Sequence, residues 1–230
     1  MLKVIVYVFG IDFLQETGAS LWLMYVAGGT IILASLVALT KDNLKARLAY
    51  STVSQLSYIV LGAGLATAYG IIGGAMHMVT HAVGKITLFF CAGAIYTAAH
   101  KTLVSELAGL GRTMPFTFVA FLIGALSCIG LPPFAGLWSK WYLVIGTMEA
   151  DQLVALGVLL VSSLLNIIYL LQVPVTAFFG QPLAASEPAV IKEAPFACLL
   201  AIGLTSAACI GLFFGIEPIG EMARRIDLGK

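Results

Sequence analysis

Apolar residues run through this chain in blocks long enough to cross a bilayer, and the polar residues that interrupt them fall at helical spacing. Leu21–Thr40 reads as a first full span, closed by the polar cluster Lys41-Asp42-Asn43. Leu44–Ala66 is a second span with an unusual polar load of Ser51, Thr52, Ser54, Gln55, Ser57 and Tyr58. Ser51, Gln55 and Tyr58 share one helical face, so that face is expected to pack inward against protein or water. The third run, from about Tyr69 to Ala99, carries His77, His81 and Lys85 at four-residue intervals. On a helix these three form one stack, roughly 12 Å long at the helical rise, with Lys85 near the centre of the bilayer.

The fourth span, Phe116–Thr147, is interrupted at Gly130-Leu-Pro132-Pro133-Phe-Ala-Gly136. Paired prolines flanked by glycines break a helix, and broken backbone inside a membrane is tolerated only where it faces protein or a cavity. Such breaks mark transport sites. Lys140 follows the break. The fifth span, Leu153–Val173, presents Ser162, Asn166 and Tyr169 on one face and ends at Pro174. Phe196–Gly215 is a sixth span without charge. Residues 1–14 are too short to span and read as the end of a helix, and the tail 216–230 is polar. The expected fold is therefore an all-α polytopic membrane protein with about six transmembrane helices, one of them broken at Leu131–Gly136. Residues 1–14 form a partial helix, 15–180 the main transmembrane unit, and 181–230 a loop, a last helix and a tail.

Composition agrees: 60% of the 230 residues are hydrophobic and 10% charged, against about 25% charged in soluble domains. A net charge of +1 leaves no basic footprint for nucleic acid. Cys91, Cys128, Cys198 and Cys209 all lie in apolar runs without zinc-like spacing and read as small buried or lipid-facing residues. No cleavable signal peptide is evident. Threading the spans puts Lys41, Lys45, Arg47, Lys101, Arg112 and Lys192 on one side. Glu149 and Asp151 fall on the other. The positive-inside rule makes the first side cytoplasmic, although Arg224, Arg225 and Lys230 count the other way. The location this implies is the inner membrane of a prokaryotic cell.

Ionisable groups inside a membrane are expensive and usually line a water-filled path or a proton relay. Histidine titrates near neutral pH, and Gly84 beside Lys85 leaves room for water or a neighbouring helix. The plainer reading is a set of satisfied polar residues locking helices together. A third reading is a metal or bis-histidine haem site, which needs further ligands that the sequence does not supply, so no cofactor and no metal are expected. Lys140 sits one turn into the half-helix after the break, where the positive helix end works against an ammonium. It belongs to a proton path or snorkels to the interface. Lys45 is either a topology-setting charge or a member of the polar path. Gln55, Asn166 and their neighbours read as packing contacts or wetted walls. Glu106 and Arg112 read as loop charges, as does Glu149 unless it marks a channel mouth.

Three stretches, Asp42-Asn-Leu-Lys-Ala-Arg-Leu-Ala-Tyr-Ser-Thr-Val-Ser-Gln55, His77-x-x-x-His81-x-x-x-Lys85 and Gly130-Leu-Pro-Pro-Phe-Ala-Gly-Leu-Trp-Ser-Lys140, together resemble the antiporter-like membrane subunits. These include the D-type subunit of the multisubunit Na+/H+ antiporter and the proton-pumping membrane subunits of respiratory complex I. The resemblance runs from residue 1 to about residue 180. It implies a fold with inverted five-helix repeats, of which this chain would hold the second. It implies that Lys85 is the central relay lysine, that His77 and His81 are relay positions, that Lys140 is the broken-helix residue and that Lys45 joins the polar axis between half-channels. Trp141, where some complex I members carry a carboxylate, leans towards the D-type antiporter branch. The first repeat is absent, so a lone half-channel would need partner subunits, including a source of that repeat. The function implied is proton translocation, with Na+ exchange as its extension, by a non-redox subunit without an active site of its own. The alternative is a truncated, non-conducting assembly subunit.

Overall fold

A computed structural model describes residues 4–181 and 191–224, and among these the regular structure is helical. Val4–Phe9 is a π-helical turn, and Gly10, with φ of 80°, redirects the chain into a short helix, α1 (Ile11–Glu16). The segment expected as one helix end is thus two short pieces. Long helices follow: α2 (Ala19–Thr40), α3 (Leu44–Gly64) and α4 (Ala68–Ala99). Each of the latter two starts where its sequence offers a cap. Asn43 accepts from the Ala46 amide at 3.0 Å, and Thr67 accepts from the Gly70 amide at 3.1 Å. His100, at φ of 55°, ends α4 in the left-handed conformation.

The expected break is present. Helix α5 (Pro115–Ile129) stops at Gly130, with φ of 89°, and α6 (Gly136–Glu149) resumes after the two prolines. Helices α7 (Leu153–Phe179) and α8 (Phe196–Phe214) complete the bundle. The region read as a polar tail begins with one more helix, α9 (Glu217–Arg224). Residues 225–230 and the loop 182–190 lie outside the described residues.

Four helices, α2, α4, α7 and α8, are long and apolar enough to cross a membrane. Helix α3 is long enough but too polar by composition, and α5 and α6 are each half of one crossing. What admits α3 is where its polar groups point. Ser51, Ser54, Gln55 and Tyr58 are fully buried, while Val53 and Leu56 are exposed. Helix α3 is therefore apolar towards lipid and polar towards protein, the inverse of a soluble helix.

Two apolar clusters sandwich that polar face. One joins Leu48, Leu88, Phe118, Phe121 and Leu170, and the other joins Met24, Ile31, Leu61, Leu143 and Leu159. Gly84 is where α4 and α5 touch: a Cβ there would sit 2.9 Å from the Cys128 sulfur. Gly84 therefore makes room for a helix. The loops at one end of the bundle are tied together: Leu44 donates its amide to the Thr102 carbonyl and Val104 to that of Asp42. Lys192 there donates its amide to the Thr113 carbonyl. The basic residues at 41–47, 101, 112 and 192 thus belong to one end.

Candidate functional site

Helices α3 and α4 run antiparallel, and their polar residues meet in register. Ser51 faces Lys85: the ammonium nitrogen lies 2.6 Å from the serine oxygen. Seven residues along α3 and eight along α4, Tyr58 stacks on His77, with ring centroids 5.3 Å apart. The same register sets Gln55 opposite His81, whose ring stacks on His77 at 5.7 Å. All of these side chains are buried, His77 being 2% exposed, His81 6% and Lys85 5%.

Each end of this ladder is extended by another helix. At the Lys85 end, the Tyr169 phenol of α7 donates to Ser51 at 3.0 Å and contacts Asn166 Oδ1 closely. Lys85 also reaches the Leu48 carbonyl at 3.4 Å. At the His77 end, the imidazole Nδ1 lies 2.9 Å from Ser139 of α6. Thr80 donates to Ser139 at 3.2 Å, and Ser139 reaches the Gly136 carbonyl at 3.1 Å. The serine has one proton and two acceptors in range, so the tautomer of His77 decides which acceptor it serves. A proton placed on His77 therefore rewires Ser139.

Lys140 lies to the side of this ladder, half-buried. Its Nζ stands over the Tyr58 ring at 5.3 Å, and donates to the Ile129 carbonyl at 2.9 Å and to Ser163 at 3.3 Å. Tyr58 thus contacts both Lys140 and His77. The positive end of α6 is the feature that the sequence suggests. The side chain instead folds back across the break to the carbonyl end of α5, which favours a cation. Pro132 and Pro133 supply the break, and Gly136 makes it compact: a Cβ at 136 would overlap the Ser127 carbonyl. The amide of Ala135 inside the break is satisfied by the Cys209 carbonyl of α8 at 3.1 Å.

Several buried polar atoms along the ladder have no partner among the described residues: both side-chain atoms of Gln55, Nε2 of His77 and of His81, Nδ2 of Asn166 and the Ser127 hydroxyl. Buried polar atoms are paired in most proteins, and ordered water is a usual partner where protein offers none. Gln55 and His81 lie between the Lys85 and His77 ends, so water bonded to them would join the two. No cluster of three His, Cys, Asp or Glu side chains gathers among the described residues.

Lys45 and Arg47, two residues apart, are placed differently. Lys45 is exposed, with its ammonium over the Tyr96 ring at 5.4 Å, and is not brought to the ladder. Arg47, counted among the basic residues of the cytoplasmic side, is buried at 4% exposure. It donates to Gln172 Oε1 at 2.7 Å, the Lys41 carbonyl at 2.8 Å and the Tyr169 carbonyl at 3.2 Å. Sequence reasoning also misses Ser139, Ser163, Thr80 and Ser35. Ser35 joins Ser54 at 2.8 Å and Ser162 at 3.3 Å, tying α2, α3 and α7 together. Each is a single hydroxyl in an apolar run, which carries little signal alone.

The model of the NADH:quinone oxidoreductase/Mrp antiporter transmembrane family matches residues 1–166. The chain belongs to this family. Among its relatives, the N-type subunit of NADH-quinone oxidoreductase from Desulforudis audaxviator is 40% identical over 166 residues, covering 71% of this chain and 33% of that protein. The D-type subunit of the Na+/H+ antiporter from Alkalihalophilus pseudofirmus is 29% identical over 204 residues, covering 89% of this chain and 41% of that protein. The antiporter-like fold is also that of a chain in the Mrp complex from Dietzia sp., with a TM-score of 0.83 and 24% identity, covering 93% of this chain and 48% of that one. A chain of Thermus thermophilus respiratory complex I gives 0.75 and 22%, covering 93% and 46%. This antiporter-like chain thus spans a third to a half of the length of these relatives. It is similar to both branches, by identity to the oxidoreductase subunit and by coverage to the antiporter subunit, so the Trp141 signal does not separate them.

Proposed function

We propose that this chain supplies a half-channel for protons in a larger membrane assembly. The observation that carries this reading is the buried ladder of Lys85, Ser51, Gln55, His81, His77 and Tyr58, which ends beside Lys140 at the helix break. Lys85, Lys140, His81 and His77 hold and pass the proton. Ser51, Gln55, Tyr58 and Asn166 line the path. Pro132, Pro133 and Gly136 shape the break that admits Lys140. Lys45, exposed on α3, meets a neighbouring subunit instead of the ladder of this chain. The partners are other membrane subunits, in keeping with the multisubunit assemblies named for its structural relatives. The assembly lies in the inner membrane of a prokaryotic cell. Exchange against Na+ is the extension suggested by the Na+/H+ antiporter relative.

The test is proton flux in liposomes carrying the chain with its co-purifying partners, with and without a Na+ gradient. Lys85→Ala and Lys140→Ala should each abolish most of the flux. Wild-type flux in both variants would sink the half-channel. A complex that assembles but shows no lysine-dependent flux would favour the non-conducting assembly subunit.

A further inference from the structure

We infer that Arg47 closes the ladder at its Lys85 end, both by holding Tyr169 in place and by a fixed charge that repels cations. The inference rests on reading the ladder as a half-channel. Arg47 sits four residues before Ser51 on the same face of α3, at the junction of α2, α3 and α7. Its guanidinium bonds oxygens from both neighbouring helices: the Lys41 carbonyl ending α2, and the Tyr169 carbonyl and Gln172 amide of α7. Pro174 lies inside α7 and contributes no amide proton, so the Leu170 carbonyl next to Tyr169 lacks its usual intrahelical donor.

The connection to the relay is short. Arg47 holds the Tyr169 backbone, and the Tyr169 phenol reaches Ser51, which in turn holds Lys85. Arg47 is therefore a positioning residue for the lysine site. It also carries a charge without a close ion-pair partner, on which Asp42 acts only by a longer-range Coulombic attraction. No carboxylate lies within ion-pair distance of it among the described residues. Asp42, five residues earlier, directs its two oxygens to the amide and hydroxyl of Ser105. A guanidinium stays charged across the working pH range and bonds only as a donor. Placed across the end of a polar path, it disfavours hydrated cations there, as an arginine does in selective pores. Protons then reach Lys85 along the ladder, from the Lys140 and His77 end.

The test uses the full chain with its co-purifying partners in vesicles of phosphatidylethanolamine and phosphatidylglycerol. Passive leak of Na+ and K+ is measured, with chloride as control. Removing one unit charge at roughly 10 Å, with an effective permittivity of about 20, corresponds to about tenfold in cation leak. R47Q should raise Na+ and K+ leak by about that factor and leave chloride unchanged. R47K should be tight at pH 7 and become leaky in alkali as its amine loses the proton, while wild type stays flat. The titratable groups around this position are Lys41, Asp42, Lys45, Tyr169 and, one turn further in, Lys85, all shared with wild type. R47Q as tight as wild type, or leaking chloride equally, would overturn the inference. So would R47K without an alkaline limb, which decides the matter alone if R47Q fails to fold. Lys85→Ala separates the two readings. Wild-type proton flux in that variant together with cation leak in R47Q removes the half-channel and keeps the barrier, and the opposite pair removes only the barrier.

Discussion

Ser51→Ala tests whether Lys85 is held as a cation. The 2.6 Å contact between Lys85 Nζ and Ser51 is short for an N–H···O bond, the direction in which charge assistance acts. Ser51 also accepts the Tyr169 phenol at 3.0 Å. Removing the hydroxyl leaves a buried ammonium with one weak bond, to the Leu48 carbonyl at 3.4 Å. A hydrogen bond to a charged group contributes about 1.5–3 kcal/mol and a neutral one about 0.5–1.5 kcal/mol. The phenol has one proton and a second acceptor in Asn166 Oδ1, to which it turns when Ser51 is removed, so its share of the loss lies at the low end. The variant should lose about 2–4 kcal/mol if Lys85 is charged, and only about 1–2 kcal/mol if it is neutral. The assay is reversible unfolding of the full chain in dodecyl maltoside micelles titrated with sodium dodecyl sulfate, run as a cycle with Lys85→Met. Methionine keeps the length and apolar stem of the lysine without its charge. The expected coupling between the two positions is about 1.5–3 kcal/mol. A coupling below about 0.5 kcal/mol would show that Ser51 does not hold the ammonium, and the link from Lys85 to Tyr169 would go with it.

Gly136→Ala should destabilise by about 3 kcal/mol or prevent accumulation, because its Cβ meets the Ser127 backbone, which cannot swing aside; Gly29→Ala, with nothing within 4 Å, is the control and should fall within about 0.5 kcal/mol of wild type. Glu193→Ala should cost about 2 kcal/mol by the same micelle titration, since its carboxylate caps α5 from outside the helix, accepting from the Phe116 amide at 2.7 Å and the Thr117 hydroxyl at 2.6 Å. Glu193→Gln should fall between the two. Bonds from Ser105 hold the Asp42 carboxyl below its usual pKa. A carboxyl lowered on folding stabilises above its unfolded value near 3.9 and loses that contribution as pH falls through the lower folded value. The stability gap between wild type and Ser105→Ala should therefore be present at pH 7 and close in acid; a gap unchanged below pH 3 would refute it.

Much of the ladder is legible because helical spacing alone puts His77, His81 and Lys85 on one face and Ser51, Gln55 and Tyr58 on another. The same spacing holds a signal that charge counting obscures. Arg47 lies four residues before Ser51 and so shares its face, whereas Lys45 lies six before it, about 120° round the helix. Counting both as charges of one membrane side treats the two alike. Ser139 and Ser163 cannot be read at all. A hydroxyl in an apolar helix gains meaning only when another helix brings a histidine or lysine to it, and that is decided by the crossing of α6 with α4 and α7.

Lys140 shows the same limit and leads to the site's main physical property. Its place one turn after the break is readable, but its direction is not, because only the packed bundle sets the carbonyl end of α5 within its reach. Both lysines turn out to be held by neutral oxygens, Lys85 by Ser51 and Leu48 and Lys140 by Ile129 and Ser163. The described residues offer neither lysine a carboxylate within ion-pair distance. An ammonium paired with a carboxylate would be neutralised locally and felt weakly elsewhere. Unpaired ammoniums in a poorly screened interior are felt across the ladder, so charging one raises the cost of charging the other. That repulsion is what a relay needs to move one proton in response to another. It would be lost if either lysine acquired a carboxylate partner, which makes Ser163→Asp, beside Lys140, the variant that should uncouple the two lysines while leaving both in place.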